Sequence, residues 1–332
     1  MNNLKSHSIY FVLLSVGLLM ALWINIFSGQ ISISSSDLIS SIISFDENNT
    51  IHFVIREFRI PRMFMSLLAG SSLAVCGLLL QTLLNNPLAG PYVLGINSGA
   101  SLFVALTLLT GISFFSSDLG IISAGILGSL FIGIIILLCS YSVKTNISLL
   151  LIGLMISSFI SALISVLQSS SSADQLKRFV IWSMGSLQQV SFAQLPLITV
   201  SILFSLLSVL LVIKPLNALV LGEVSAKNLG VNIKKVRLLI IIITAILTGI
   251  ITAFCGPIAF IGLAIPNISR IIFKTQNHLV LVSGNLLIGG VFLVLSDCII
   301  QWIEPWYNIP INAFTSILGA PFVIYLLFKK IV

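Results

Sequence analysis

The sequence predicts an all-α, polytopic membrane protein of about ten transmembrane helices, with both termini on the cytoplasmic side. Three observations carry that prediction. The 332 residues are 58% hydrophobic and only 8% charged, with a mean hydropathy of +1.17, whereas soluble domains carry about 25% charged residues. The apolar residues fall into runs of membrane-spanning length, about 20 residues each. The basic residues gather on alternate connections between those runs, as the positive-inside rule requires.

The first run, Ser8–Ser28, follows Lys5 and His7. It is long for a signal-peptide core, and Trp23–Phe27 offers no small-x-small cleavage site, so it is read as a retained helix. A polar segment, Gly29–Pro61, comes next with Asp37, Asp46, Glu47 and Glu57. The remaining predicted helices are Arg62–Leu84, Leu94–Gly111, Leu119–Tyr141, Ile147–Gln168, Pro196–Ile213, Val236–Phe254, Ile261–Phe273, Leu279–Ile300 and Asn312–Phe328. Ile261–Phe273 is too short to cross ~30 Å at 1.5 Å per residue, which makes it a half-span packed inside protein. Between the fifth and sixth runs, Leu176, Phe179, Val180 and Met184 recur at helical spacing and predict a short helix on the outer surface. The chain reads as a single transmembrane domain over residues 1–332.

Ten spans place both termini on one side. That side holds Lys5, Lys144, Lys214, Lys227, Lys234, Lys235, Arg237, Arg270, Lys274, Lys329 and Lys330, against Arg56, Arg59, Arg62, Lys177 and Arg178 on the other. Acids split the opposite way, with Asp118, Asp174 and Glu304 joining those of the polar segment outside and Glu223 alone inside. The net charge of +7 is thus a topology signal, and no nucleic-acid partner is needed to explain it.

Chemistry is sparse. The chain lacks a GxxxxGK[ST] phosphate loop, HExxH and GxSxG. His7, His52 and His278 fall in connecting segments, and no metal set is predicted. Cys76, Cys139, Cys255 and Cys298 lie singly in apolar runs and read as small hydrophobes. Asp297 is the one acid inside a span, and it is expected to bond backbone groups near the broken helix or a subunit seam. An ion-coupled secondary transporter, the alternative reading, ordinarily carries several such groups.

Five stretches hold more than plain spans require. Lys214–Arg237, KPLNALVLGEVSAKNLGVNIKKVR, carries five basic residues, with Leu219, Leu221, Val224 and Leu229 at helical spacings and Gly222 and Gly230 as brackets. It is either a short docking helix or a solvated basic loop. Arg59-Ile-Pro-Arg62, preceded by Arg56, puts arginines on the unfavoured side, where they meet either lipid headgroups or an acidic partner. Asn85–Ala100, NNPLAGPYVLGINSGA, breaks the helix with two prolines and three glycines, as a tight turn would. Gly256–Asn267, GPIAFIGLAIPN, reads as a broken helix lining a path or packed inside protein. Pro310–Phe322 opens the last helix with small residues suited to an interface.

In this order and spacing the five stretches resemble the FecCD family, the permease subunits of bacterial ABC importers for iron–siderophores, haem and cobalamin. The resemblance covers about Arg59 to Phe328. It implies a dimer with a second copy or a close paralogue in the bacterial cytoplasmic membrane, and an extracytoplasmic binding protein that delivers the chelate. It implies no cofactor on this chain and no catalysis, because ATP would be bound by a separate cytoplasmic ATPase. Coupling to that ATPase would fall on Leu219, Leu221, Gly222, Glu223, Ala226, Lys227, Leu229 and Gly230, with Glu223 and Lys227 as a supporting i, i+4 pair. Docking of the binding protein would fall on Arg56, Arg59 and Arg62. The translocation path would include Asn86, Pro87, Gly95, Asn97, Ser98 and Gly99, then Gly256, Pro257, Gly262, Pro266 and Asn267. Two positions depart from the family pattern: Asn267 stands where a histidine is common, and Gln301 where relatives carry an arginine.

Overall fold

In the computed structural model, residues 2–110, 118–143 and 145–328 are described. Gly111, Lys144, Lys329 and Lys330, and the side chains of Lys5 and Asp118, lie outside them. The described residues contain helices and no strand. Seven helices are long and apolar enough to span a membrane, and three shorter apolar ones, Ile96–Thr110, Ile261–Phe273 and Ile311–Leu326, complete the ten predicted runs.

α1 (Asn2–Phe27) is a peripheral span with much of its surface open. The polar segment after it is more ordered than its composition implies. α2 (Ser35–Ile43) is a surface helix started by a capping box. The Ser34 hydroxyl and backbone N–H both donate to Asp37 Oδ2, at 2.6 and 3.0 Å, and hold that carboxyl below the usual carboxylate range. Its Ile39, Ile42 and Ile43 are exposed.

α3 (Thr50–Val54), capped by Asn49, runs through a π-helical turn at Ile55–Arg59 into α4 (Ile60–Leu83). The second span therefore starts near Thr50 and not at Arg62. Pro61 lacks an N–H and its ring crowds the carbonyl four residues back, so a wider turn there lets the helix continue where the sequence reading ended it.

α4 is the axis of the molecule. It packs against α12 (Ile233–Cys255), α13 (Ile261–Phe273) and α14 (His278–Ile303). With no hydrophobic drive between helices in lipid, such close packing depends on small residues. A Cβ on Gly77 would overlap the carbonyl of Gly262, and one on Gly70 would overlap that of Gly289. Gly77→Ala is accordingly expected to lower the unfolding midpoint in detergent, by the ~1–3 kcal/mol of an overpacked core. Gly17→Ala, with open space around it, should leave the midpoint unchanged.

α5 (Ile96–Thr110), α6 (Asp118–Ser142) and α7 (Asn146–Ser169) form the neighbouring layer, with α7 largely exposed. α8 (Ala173–Ser183) is the predicted surface helix, capped by Ser172 and Gln175. It buries Phe179 and Trp182, while Val180 and Met184 face outward. The inward face is thus turned by one residue from the expected one, because Trp182 Nε1 finds the Ala253 carbonyl at 3.0 Å.

α9 (Leu195–Ser208) and α10 (Leu210–Leu219) make up one 25-residue span that reaches Leu219, beyond the predicted Ile213. α11 (Glu223–Asn228) follows on the surface, and α15 (Ile311–Phe328) closes the chain. α13 has the predicted bounds. The break before it is bonded to its neighbours: the Ser186 N–H donates to Cys255 O at 2.9 Å, and the Ala259 N–H to Asn312 Oδ1 at 3.1 Å.

Candidate functional site: surface helix, polar cavity and buried ion network

The end of the bundle where α1 begins and α15 finishes holds the surface helix: His7 Nε2 lies 2.9 Å from Phe273 O, and Leu326 shares a cavity with Leu219 and Lys274. Gly222 (φ +94°) turns the chain out of α10 and starts α11. Gly230 (φ +83°) stops it, with Val231 N–H donating to Ala226 O and Gly230 N–H to Lys227 O, at 3.0 and 2.9 Å. That pair of bonds is a Schellman cap, which needs a left-handed residue at Gly230. Leu221, Val224 and Leu229 are 64–75% exposed, Leu219 is half-buried, and Ala226 alone is buried against the bundle.

The predicted Glu223–Lys227 pair is not among the ion pairs of the described residues. Glu223 Oε1 meets Arg237 Nη2 at 3.0 Å, and Arg237 Nη1 also donates to the carbonyl of Ser140 at 3.0 Å. Arg237 thus ties α11 to α12 and α6, and a cross-helix anchor of this kind outcompetes a pair within a helix of six residues. Gly230→Val adds no clash, since its surroundings are open. It is expected to cost ~1–2 kcal/mol of local strain, read as a several-fold loss in protection of the Ala226 and Val231 amides from hydrogen exchange.

The root of this element is held by a histidine that the sequence reading left in a connection. His278 is buried at the start of α14. Its backbone N–H donates to Asn217 Oδ1 at 2.8 Å, and its Nδ1 lies 2.9 Å from the same oxygen. Nδ1 must therefore carry a proton, and Nε2 lies 2.8 Å from Thr82 Oγ1. His278 so joins α10, α14 and α4 beside the surface helix. His7 lies within α1 and His52 is buried in α3. They were expected in connections too, but helix extends further into the polar flanks than hydropathy indicates.

Between the ends of α4, α10, α13 and α15 opens a cavity of about 630 Å³. It brings together Asn86 and Pro87 of one predicted motif and Asn267 of another, with Gln81 and Arg270 beside them. Asn267 Nδ2 donates to Pro87 O at 3.1 Å and to Leu263 O at 2.8 Å, so its amide clamps the two motifs together. The other residues assigned to a path sit elsewhere. Gly95 and Gly99 pack against α7 and α6, and Gly262 packs against Gly77. Asn97 is buried and accepts from Thr252 Oγ1, while Ser98 is half-buried. Pro266 is buried within α13, and Gly256 (φ +71°) and half-buried Pro257 form the break near Gly185. Small residues in these motifs serve helix approach as readily as a lumen, and spacing alone does not separate the two.

The opposite end holds the arginines. Arg62 is buried, with Nε 2.9 and 3.1 Å from the two oxygens of Asp297 and Nη1 3.2 Å from Glu304. Asn25 Nδ2 and Gln301 Nε2 also donate to Asp297 Oδ2, at 2.9 and 2.8 Å. The backbone partners expected for Asp297 are thus side chains, because α4 and α14 run side by side and bring Arg62 against it. Arg59 is buried too, donating to Gln301 Oε1 at 2.8 Å and to Ile31 O at 3.2 Å. Gln301, one of the two departures from the family pattern, bridges Arg59 and Asp297. Arg59 and Arg62 therefore face inward and not toward an outside partner. Arg56, half-buried, lies between the Phe45 and Phe192 rings, 4.3 and 4.8 Å from their centres.

Among the described residues no group of His, Cys, Asp and Glu could hold a metal. The profile of the FecCD transport family matches residues 17–329. The hemin transport system permease protein HmuU of Yersinia pestis is 34% identical over 85% of either chain. The Fe(3+)-citrate import system permease protein YfmD of Bacillus subtilis is 30% identical over 97% of this chain and 95% of its own. A solved metal-chelate type ABC transporter in an inward-facing conformation superposes with a TM-score of 0.83 at 30% identity, covering 96% of this chain and 99% of that one. The ten apolar helices, the glycine-bounded surface helix and the broken α12–α13 connection are thus those of a multi-pass ABC transporter permease, and the chain belongs to the FecCD transport family.

Proposed function

We propose that this chain is the membrane permease of a bacterial importer for an iron chelate, acting in the cytoplasmic membrane as one of a pair with a second copy or a close paralogue. A separate ATPase binds and hydrolyses ATP and docks on α11. A binding protein delivers cargo at the opposite end, where half-buried Arg56 and exposed residues of α8 remain available to it. The observation that carries this reading is α11 with its flanks: a six-residue helix between two spans, held to the bundle by buried Ala226 and the Glu223–Arg237 pair, around which Leu221, Val224 and Leu229 face the outside. An apolar face of that kind at a polar membrane surface calls for a protein partner.

The burial of Arg59 and Arg62 also supports cytoplasmic termini. With both inside the bundle, the free basic residues on the far side fall to Arg56, Lys177 and Arg178. Asp297, being ion-paired to Arg62, is poorly placed for the proton or cation traffic of a secondary transporter. The cargo class rests on the relatives named for hemin and ferric citrate. A strain lacking this gene, given single iron chelates or haem as its iron source, should stop growing on one of them and recover when the gene is restored. Unimpaired growth on every source would remove the assignment.

A further inference from the structure

The cavity at the termini end carries an electrostatic imbalance. Arg270 and Lys274 both line it, and no acid among the described residues does. Neither belongs to an ion pair among the described residues; the neighbouring Glu223 is engaged by Arg237. Among the described residues only Nη1 of Arg270 is occupied, by two neutral amide oxygens, Gln81 Oε1 and Asn267 Oδ1 (the latter at 3.2 Å). A guanidinium has five N–H donors in a planar fork. The Nε and Nη2 hydrogens of Arg270 therefore remain for a ligand, and Nε with Nη2 forms the edge that grips a carboxylate at two points. Gln81 and Asn267 hold the fork in place, while exposed Lys274 adds a second positive charge one helical turn on. Partly desolvated walls strengthen an attraction of this sort relative to open water.

We infer that this cavity is a carboxylate-binding subsite, taking an anionic arm of the imported chelate as it leaves the bundle at the termini end. The inference rests on the importer reading for the source of the anion. Chelators of ferric iron present hard, negatively charged oxygens, and Arg270 with Lys274 offers the complementary donors where Asn86 and Gln276 add neutral amides to the lining. The volume, about 630 Å³, lies within the ~300–1,000 Å³ usual for small-molecule sites.

Equilibrium dialysis of radiolabelled citrate against the purified full-length protein in detergent tests this. Saturable binding is expected, weakened at least tenfold by Arg270→Gln, at least threefold by Lys274→Gln, and unchanged by Lys177→Gln at the far end. Lys274→Gln, exposed at the end of α13, decides the matter if Arg270→Gln fails to fold. No citrate binding by the wild type, or undiminished binding in both variants, would overturn the subsite. So would displacement by inorganic phosphate at equal affinity, since that marks a general anion or lipid-headgroup patch. The two readings fail separately: wild-type chelate uptake without citrate binding removes only the subsite, and citrate binding without any chelate uptake removes only the importer assignment.

Discussion

Arg62→Met is expected to abolish accumulation of the folded protein, or to lower its unfolding midpoint sharply. The change leaves Asp297 with 2% of its side chain exposed and no cationic partner. Removing one member of a buried pair costs ~3–5 kcal/mol because the other charge stays desolvated. The amides of Asn25 and Gln301 still reach Asp297 Oδ2, which places the loss toward the lower end of that range. The double variant Arg62→Met/Asp297→Leu should recover most of it, since a buried pair replaced by apolar groups of similar volume is often neutral or stabilising. Midpoints measured for both singles and the double would close the cycle. Additive losses would mean that the two side chains do not act as a pair.

Leu221→Asp is expected to eliminate transport while leaving the bundle intact. Leu221 is 65% exposed, and Gly222 beside it has open space, so a carboxylate there stays in water and perturbs no packing. Against an apolar cleft of an ATPase the same carboxylate would be desolvated without a partner, at a cost of several kcal/mol. Co-purification with the ATPase should then fall at least a hundredfold, with an unfolding midpoint equal to that of the wild type. Ala226→Asp differs by fouling the buried anchor, so it should lower both.

The sequence revealed the elements better than it revealed their partners. α13 appears with its predicted bounds because Gly256 and Pro257 break the chain before a largely apolar stretch, and the polar Lys274–Asn277 follows it. The left-handed stop at Gly230 was legible for a similar reason, since only glycine sits there without strain. α2 was missed because serines dilute its apolar residues, although Ser34 and Asp37 spell out its capping box. The ion network was not legible at all. Arg62 and Asp297 lie 235 residues apart, and hydropathy cannot show which faces of α4 and α14 meet. The same holds for Asn217, His278 and Thr82, three polar residues from three helices that converge only through packing. Arginines near a span end read alike whether they point outward or inward, which is how Arg59 and Arg62 were set on the surface.

The central claim is that ATP hydrolysis on a partner, transmitted through α11, moves the chelate. Its most direct test is uptake into proteoliposomes holding the permease, its ATPase and its binding protein, with radioiron chelate outside the binding-protein face. Uptake is predicted to require ATP and the ATPase, to vanish in Leu221→Asp, and to persist when ionophores collapse the proton and sodium gradients. Uptake driven by an ion gradient with no ATPase present would contradict the account and establish a secondary transporter.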